Sequence, residues 1–280
     1  MKSDQAILHT FITQHPADAA LILERLKIEE IVLFLKEIPN EQAVAIFNYL
    51  ERNSAVKCLE MLSAEQSAAI IENLPMQIAS VFLRQVRSEL REAILIGIPQ
   101  EISIPIKRML SFPPDSAGAL ADPFVLTLPD NSTVKEALRT LKKYPEKSIF
   151  YLYIINRQQK LVGVLNMREL MLARSNELVS IVMNKNLVQL NAELGFQAIL
   201  SHKAWNEYHA LPVVDSDGIL LGMIRYKSLN QIKNEGEKNR QPHHSLAASL
   251  ALGELYKIGF SGLIRSAAEP LKRRSEEKNN

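Results

Sequence analysis

"NRQQKLVGVLNMREL" runs from Asn156 to Leu170, and "DSDGILLGMIRYKSL" runs from Asp215 to Leu229. Each reads as a polar turn, an apolar strand containing a glycine, and the start of a helix. Gly163 lies seven residues after Asn156, Gly222 lies seven after Asp215, and the two copies stand 59 residues apart. The frame repeats while its polar ends do not. The first copy closes on Asn166-Met167-Arg168-Glu169 and the second on Arg225-Tyr226-Lys227-Ser228.

The flanking sequence extends both copies. In the first, "FVLTL" (124–128) predicts a strand, and "PDNSTVKEALRTLKKY" predicts a turn, a cap at Ser132 or Thr133 and an amphipathic helix. The apolar run "SIFYLYII" (148–155) predicts a buried strand, and "LVGVL" (161–165) pairs with it through the turn at Asn156. In the second copy the same order recurs as "LVQL", the helix "GFQAILSHKA", "ALPVV", the turn "DSDG", "ILLGMI" and the helix "KSLNQIKN". Each copy is a β-α-β-β-α module, and two such modules pack as a pseudo-twofold pair.

Upstream lies a different repeat. "HPADAALILERL" (15–26), "PNEQAVAIFNYL" (39–50), "SAEQSAAIIENL" (63–74) and "RSELREAILIGI" (87–98) keep a period of 24 residues. Ile22, Ile46, Ile70 and Ile94 fall in register, as do Leu23, Phe47, Ile71 and Leu95. Second half-repeats end at Ile38, Leu62, Val86 and Leu110. Apolar residues three and four apart make each half a helix of about two turns, too short to stand alone. Pro16, Pro39 and Ser63 suit helix starts. Two helices per 24-residue unit predict a stacked superhelix, whose surface serves as a spacer or a docking platform. Between the repeats, "SFPPDSAGALADP" (111–123) reads as a linker.

Composition removes several function classes. The chain has 280 residues, 47% apolar and 23% charged, with a net charge of +2, so no global field draws it to nucleic acid or to an anionic membrane. Cys58 is its single cysteine, expected in core packing, and no internal disulfide can form. The start "MKSDQAILHTFITQHPADAA" lacks a signal-peptide core, and no stretch reaches the roughly 18 apolar residues of a membrane span. No zinc-like histidine spacing, nucleophile motif or phosphate loop is present, so an enzyme is not expected.

"LPVVDSDGILLGMI" resembles the core signature of the CBS domain, a module found in tandem pairs. "YLYIINRQQKLVGVLNMRELMLA" and "SFPPDSAGALADPFVLTLPDNSTVKEALRTL" resemble, more specifically, the cytosolic part of MgtE-type magnesium transporters. The resemblance runs from about Phe11 to Glu235. It implies an α+β multidomain chain. An all-α right-handed superhelix of short repeats (1–110) leads through a linker (111–122) to a tandem CBS pair (123–235), then to an amphipathic C-terminal helix and tail (236–280). That last helix, read over Ser245 to Ala268, is too charged and short to span a membrane and amphipathic enough to dock.

In that family the cytosolic part senses magnesium, because clustered carboxylates repel until a divalent cation bridges them. Several of the family's acids are missing here. The stretch matching the family's "D-P-D-D-A-A-D" is Ser63-Ala64-Glu65-Gln66-Ser67-Ala68-Ala69. The family's "V-D-D-V" has become Tyr226-Lys227-Ser228-Leu229, and its "D-T-D-Q-E-E" falls in Asn191-Ala192-Glu193-Leu194-Gly195-Phe196-Gln197. Glu207, with the Ala204 carbonyl one turn before it, is the candidate for a residual magnesium site.

Related CBS clefts hold adenine nucleotides through a Ser/Thr and an Asp three residues later. Asn166 with Glu169, and Arg225 at the second copy, are the degenerate counterparts. The expectations are that no cofactor is required, that magnesium binds weakly if at all, and that adenine nucleotide is not expected. The expected assembly is a homodimer through the CBS domains, acting by contact with a protein partner, a membrane transporter among the candidates. Its expected place is the cytoplasm, with the inner membrane face as a docking surface. The alternative reading is a soluble component of a magnesium transport system whose pore is a separate polypeptide.

Overall fold

The computed structural model describes residues 2–144 and 151–230. They form two compact units, one reaching Ser103 and the other beginning at Ile104. The C-terminal helix expected over 245–268, and the first three residues of the strand expected over 148–155, lie outside the described residues.

The first unit begins with α1 (Lys2–Gln14), followed by α2 (Pro16–Leu23), α4 (Asn40–Phe47), α6 (Ala64–Asn73) and α8 (Ser88–Gly97), which start at 24-residue intervals. Alternating with them are α3 (Ile28–Glu37), α5 (Arg52–Met61) and α7 (Met76–Leu83), and α9 (Gln100–Ser111) carries the chain from the first unit into the second. The helices after α1 run from 8 to 12 residues, somewhat longer than two turns. Successive members of the first row pack on one another, α2 on α4, α4 on α6 and α6 on α8, while α3, α5 and α7 form a second row. The register read from sequence is the buried one: Leu23, Phe47, Ile71 and Leu95 are all in the core. Start signals act as expected at Pro16, the first residue of α2, and at Ser63, whose hydroxyl accepts from the Gln66 N–H in a reciprocal capping box.

Carboxylates also stitch one repeat to a later one. Glu24, at the end of α2, accepts from the Glu51 N–H (2.8 Å) and the Ser54 hydroxyl (2.6 Å) at the start of α5. Glu60 of α5 accepts from the Arg87 N–H (3.1 Å) at the start of α8. Both span 27 residues, and both place an acid at a helix N-terminus whose first N–H groups have no partner within the helix.

The second unit holds two three-stranded sheets. In the first, β1 (Thr127–Pro129) runs parallel to β2 (Tyr151–Ile155), which pairs antiparallel with β3 (Leu161–Asn166). In the second, β4 (Leu190–Asn191), β5 (Ala210–Val214) and β6 (Leu220–Arg225) repeat the arrangement. The helices are α11 (Val134–Lys143, capped by Thr133) and α12 (Met167–Leu172) in the first module, and α14 (Phe196–Leu200) and a helix over 226–230 in the second. Each module has its own apolar core, and a third cluster, built on Tyr153, Leu161, Ala210, Val214 and Met223, lies between the sheets.

The turns quoted at the outset join the modules. The Leu161 N–H donates to the Gly218 carbonyl (3.0 Å), and the Leu220 N–H donates to the Gln159 carbonyl (3.2 Å). The two bonds exchange roles at positions 59 apart, so the repeated frame carries the pseudo-twofold relation of the pair.

Two short helices complete the modules. α13 (Val179–Val182) follows the first module and packs on it, with the Val179 N–H donating to the Ser132 carbonyl. Its counterpart is α10 (Ala117–Leu120), inside the stretch read as a linker. The Ala117 N–H donates to the Leu194 carbonyl and the Gly118 N–H to the Ala192 carbonyl, and Ala117 and Ala121 lie in the second module's core. Residues preceding the first module in sequence are therefore built into the second.

Candidate functional site

The polar ends of β3 and β6 occupy corresponding places in the two modules, and the structure treats them differently. At β3, Asn166 is the N-cap of α12: its side-chain oxygen accepts from the Glu169 N–H (2.9 Å), and the Glu169 carboxylate accepts from the Asn166 N–H (2.8 Å). Two residues suggested as nucleotide contacts thus meet each other and close a helix start.

At β6, Arg225 Nη1 lies 3.0 Å from Asp122 Oδ2. The other Asp122 oxygen accepts from the Phe124 N–H (3.0 Å). The Asp122 main chain exchanges two hydrogen bonds with Met223, at 2.7 and 3.0 Å. The matching exchange in the first module runs between Val164 and Asn184. Asp122 and Asn184 are therefore counterparts, as are Arg225 and Asn166. One end presents two amides and the other an ion pair.

The glycines make room for these crossing segments. A Cβ on Gly222 would meet the Asp122 carbonyl group, with its carbon 2.8 Å away, and one on Gly163 would meet the Met183 side chain. Beside the second end, the Tyr153 hydroxyl approaches Met223 Sδ at 3.9 Å. Burial pushes the Tyr153 phenol well above its ordinary range, and the nearby Tyr151 adds to the shift against a smaller opposing effect of Arg225.

The suggested magnesium pair lies elsewhere in the second module. Lys203–Asn206 form a 3₁₀ turn capped by His202 Nδ1, which accepts from the Ala204 N–H (3.2 Å). The Ala204 carbonyl accepts from the Glu207 N–H (3.0 Å) and the Tyr208 N–H (2.9 Å), which engages both of its lone pairs. The Glu207 side chain is exposed. Among the described residues, no group of three His, Cys, Asp or Glu side chains is placed to hold a metal ion. Cys58 is buried on α5, and burial, with the nearby Glu24 charge, pushes its thiol up to about 12.

Sequence reading did not find Asp122, which it placed in a linker. Its signal was available: "GALAD" before β1 stands where "SIVMN" stands before β4, and each segment crosses a strand that contains a glycine.

The family model of the MgtE intracellular N domain matches residues 14–115, and that of the CBS domain matches residues 117–176 and 179–232. The magnesium transporter MgtE of Bacillus subtilis is 31% identical over 121 residues, which are 42% of this chain and 27% of that protein. The match therefore spans about a quarter of the relative's length. A solved structure of the cytosolic domain of the Mg²⁺ channel MgtE in complex with ATP shares the fold with a TM-score of 0.69 at 23% identity, over 82% of this chain and 96% of that one. The soluble part of a magnesium transporter gives 0.57 at 19% identity, over 84% and 99%. Among the described residues, no helix is long and apolar enough to cross a membrane. In composition and fold the chain is an MgtE intracellular N domain followed by a tandem pair of CBS domains, the arrangement of the MgtE cytosolic domain.

Proposed function

We propose that the chain is a regulatory module of a magnesium transport system, working on the cytoplasmic side by contact with a membrane transporter protein and not as an enzyme. Its magnesium grip is weak. The observation that supports the weak grip is that the Ala204 carbonyl, the partner suggested for Glu207, already accepts the Glu207 and Tyr208 N–H groups. Sensors of hard divalent ions need several oxygen ligands converging on one point. Glu207 is the residual ligand in this reading.

The module acts as a homodimer. Met171, Leu172 and Ile181 on α12 and α13 are 77%, 78% and 71% exposed, an apolar surface that a second copy would cover. Sedimentation should give a dimer at micromolar concentration, and a monomer there would refute this part of the reading.

One similar structure holds ATP, so an adenine nucleotide is a candidate ligand for the first module end. The Glu169 carboxylate is already folded back on the Asn166 N–H, which supports a weak grip on ribose. Calorimetric titration with ATP tests it. Binding in the low micromolar range, lost in Glu169→Gln, would show that the acid serves the nucleotide and not the helix cap.

A further inference from the structure

The superhelix leaves a groove open, and its repeat explains where. The period of 24 residues that puts Glu60 near the end of α5 puts Lys36 near the end of α3. Glu60 accepts from the Arg87 N–H, 27 residues on, and closes the start of α8. The corresponding donor for residue 36 is the Ser63 N–H, and a lysine has no lone pair with which to accept it. The start of α6 is capped from within instead, the Ser63 N–H donating to Gln66 Oε1 (3.2 Å).

A groove of about 230 Å³ opens at this place, where α3, α4, α5 and α6 meet. Its floor is apolar: Leu35, Leu62 and Ile70 are buried, and Ile38 and Ala69 are half-buried. Two polar residues on its wall are already engaged, Asn40 Nδ2 with the Ala69 carbonyl (3.1 Å) and Gln66 with the α6 cap. The groove therefore suits apolar side chains and not a polar ligand. A cavity of roughly 150 Å³ accepts a benzene ring, so this one has room for the apolar side chains of one helical turn.

The segment 245–268 supplies such side chains. Its sequence puts Leu252, Leu255, Tyr256 and Leu263 on one side of the expected helix, and Glu254, Lys257 and Arg265 on the other. Charge favours the meeting. Residues 1–103 hold nine Lys and Arg against fourteen Asp and Glu, while residues 241–280 hold six against four. Next in sequence to lining residues, Glu37, Glu41 and Glu65 are exposed, matching Lys257 and Arg265 in sign, and the exposed Lys36 matches Glu254. Residues 231–244 tether the segment to the second module. Extended, they span about 46 Å, long against the roughly 13 Å radius of gyration of a hundred-residue unit.

We propose that the groove between α3 and α6 docks residues 245–268 of the same chain, with the apolar side of that segment on its floor. A partner helix of like chemistry must then displace the chain's own. The inference stands apart from the magnesium reading.

Hydrogen exchange of the full chain, read by mass spectrometry, tests it. Gly253, Gly259 and Gly262 weaken the segment as a free helix, so slow exchange there reports docking. Its amides should exchange about tenfold more slowly than those of a synthetic peptide of the same residues. Leu255→Asp, which alters only the segment, should restore the peptide's rate. So should two changes in the groove: Ala69→Arg, which sets a long cation over the floor, and Lys36→Glu, which supplies at an exposed position the acceptor that Glu60 supplies one repeat later. Exchange at the peptide's rate in the unaltered chain would overturn the proposal. So would protection that survives both groove substitutions, which would seat the segment elsewhere. Protection that fades on dilution would assign the groove to a second copy, and protection that needs anionic vesicles would assign the segment to a membrane surface; either result would also overturn it.

Discussion

Gly163 and Gly222 hold the same place in the repeat, yet their neighbours differ in how far they can give. A Cβ at Gly222 would press on the main chain of Asp122 and Pro123, which two hydrogen bonds to Met223 hold in place. A Cβ at Gly163 would press on Met183, a flexible side chain. Gly222→Ala should therefore cost about 1–3 kcal/mol, and Gly163→Ala clearly less. Urea midpoints of the two variants check the order, and equal losses would contradict it. At the turns, Gln159 adopts φ 64° where its counterpart Gly218 has φ 80°. The left-handed conformation suits glycine and strains glutamine. Gln159→Gly should raise stability by about 0.5–1 kcal/mol in thermal unfolding, and a loss would count against the strain. The Asn166–Glu169 box is legible in the sequence as a cap residue with an acid three positions on. The Asp122–Arg225 pair was not legible, because its members meet only once the segment before β1 is seated against β6.

At the scale of elements, the superhelical repeat was readable because one period sets both the helix starts and the buried register. The carboxylate stitches were not, since Glu24 and Glu60 cap helices 27 residues on and no local pattern announces them. Glu24→Ala leaves the first turn of α5 without its acceptor and should cost about 1 kcal/mol. Chemical denaturation measures it, and an unchanged midpoint would mean that water replaces the carboxylate fully. The short helix α10 was not legible because the prolines on either side of it and its own Gly118 read as punctuation. What holds it is not helix propensity but two main-chain bonds and two alanines in the second module's core.

For the whole molecule, we propose that an MgtE-type domain plan carries a weak ion grip. The plan rests on apolar periodicity and small residues at crossings, both of which sequence shows plainly. The ion grip rests on acids converging from separate elements, and here the helix that follows β6 opens on Tyr226 and Lys227. A lysine at short range repels a divalent ion by roughly 1 kcal/mol or more per unit charge near a surface. Calorimetric titration of the full chain with magnesium chloride tests the claim most directly. A single weak site is expected, with a Kd of about a millimolar or weaker, lost in Glu207→Gln. Several sites well below a millimolar, insensitive to that substitution, would contradict it.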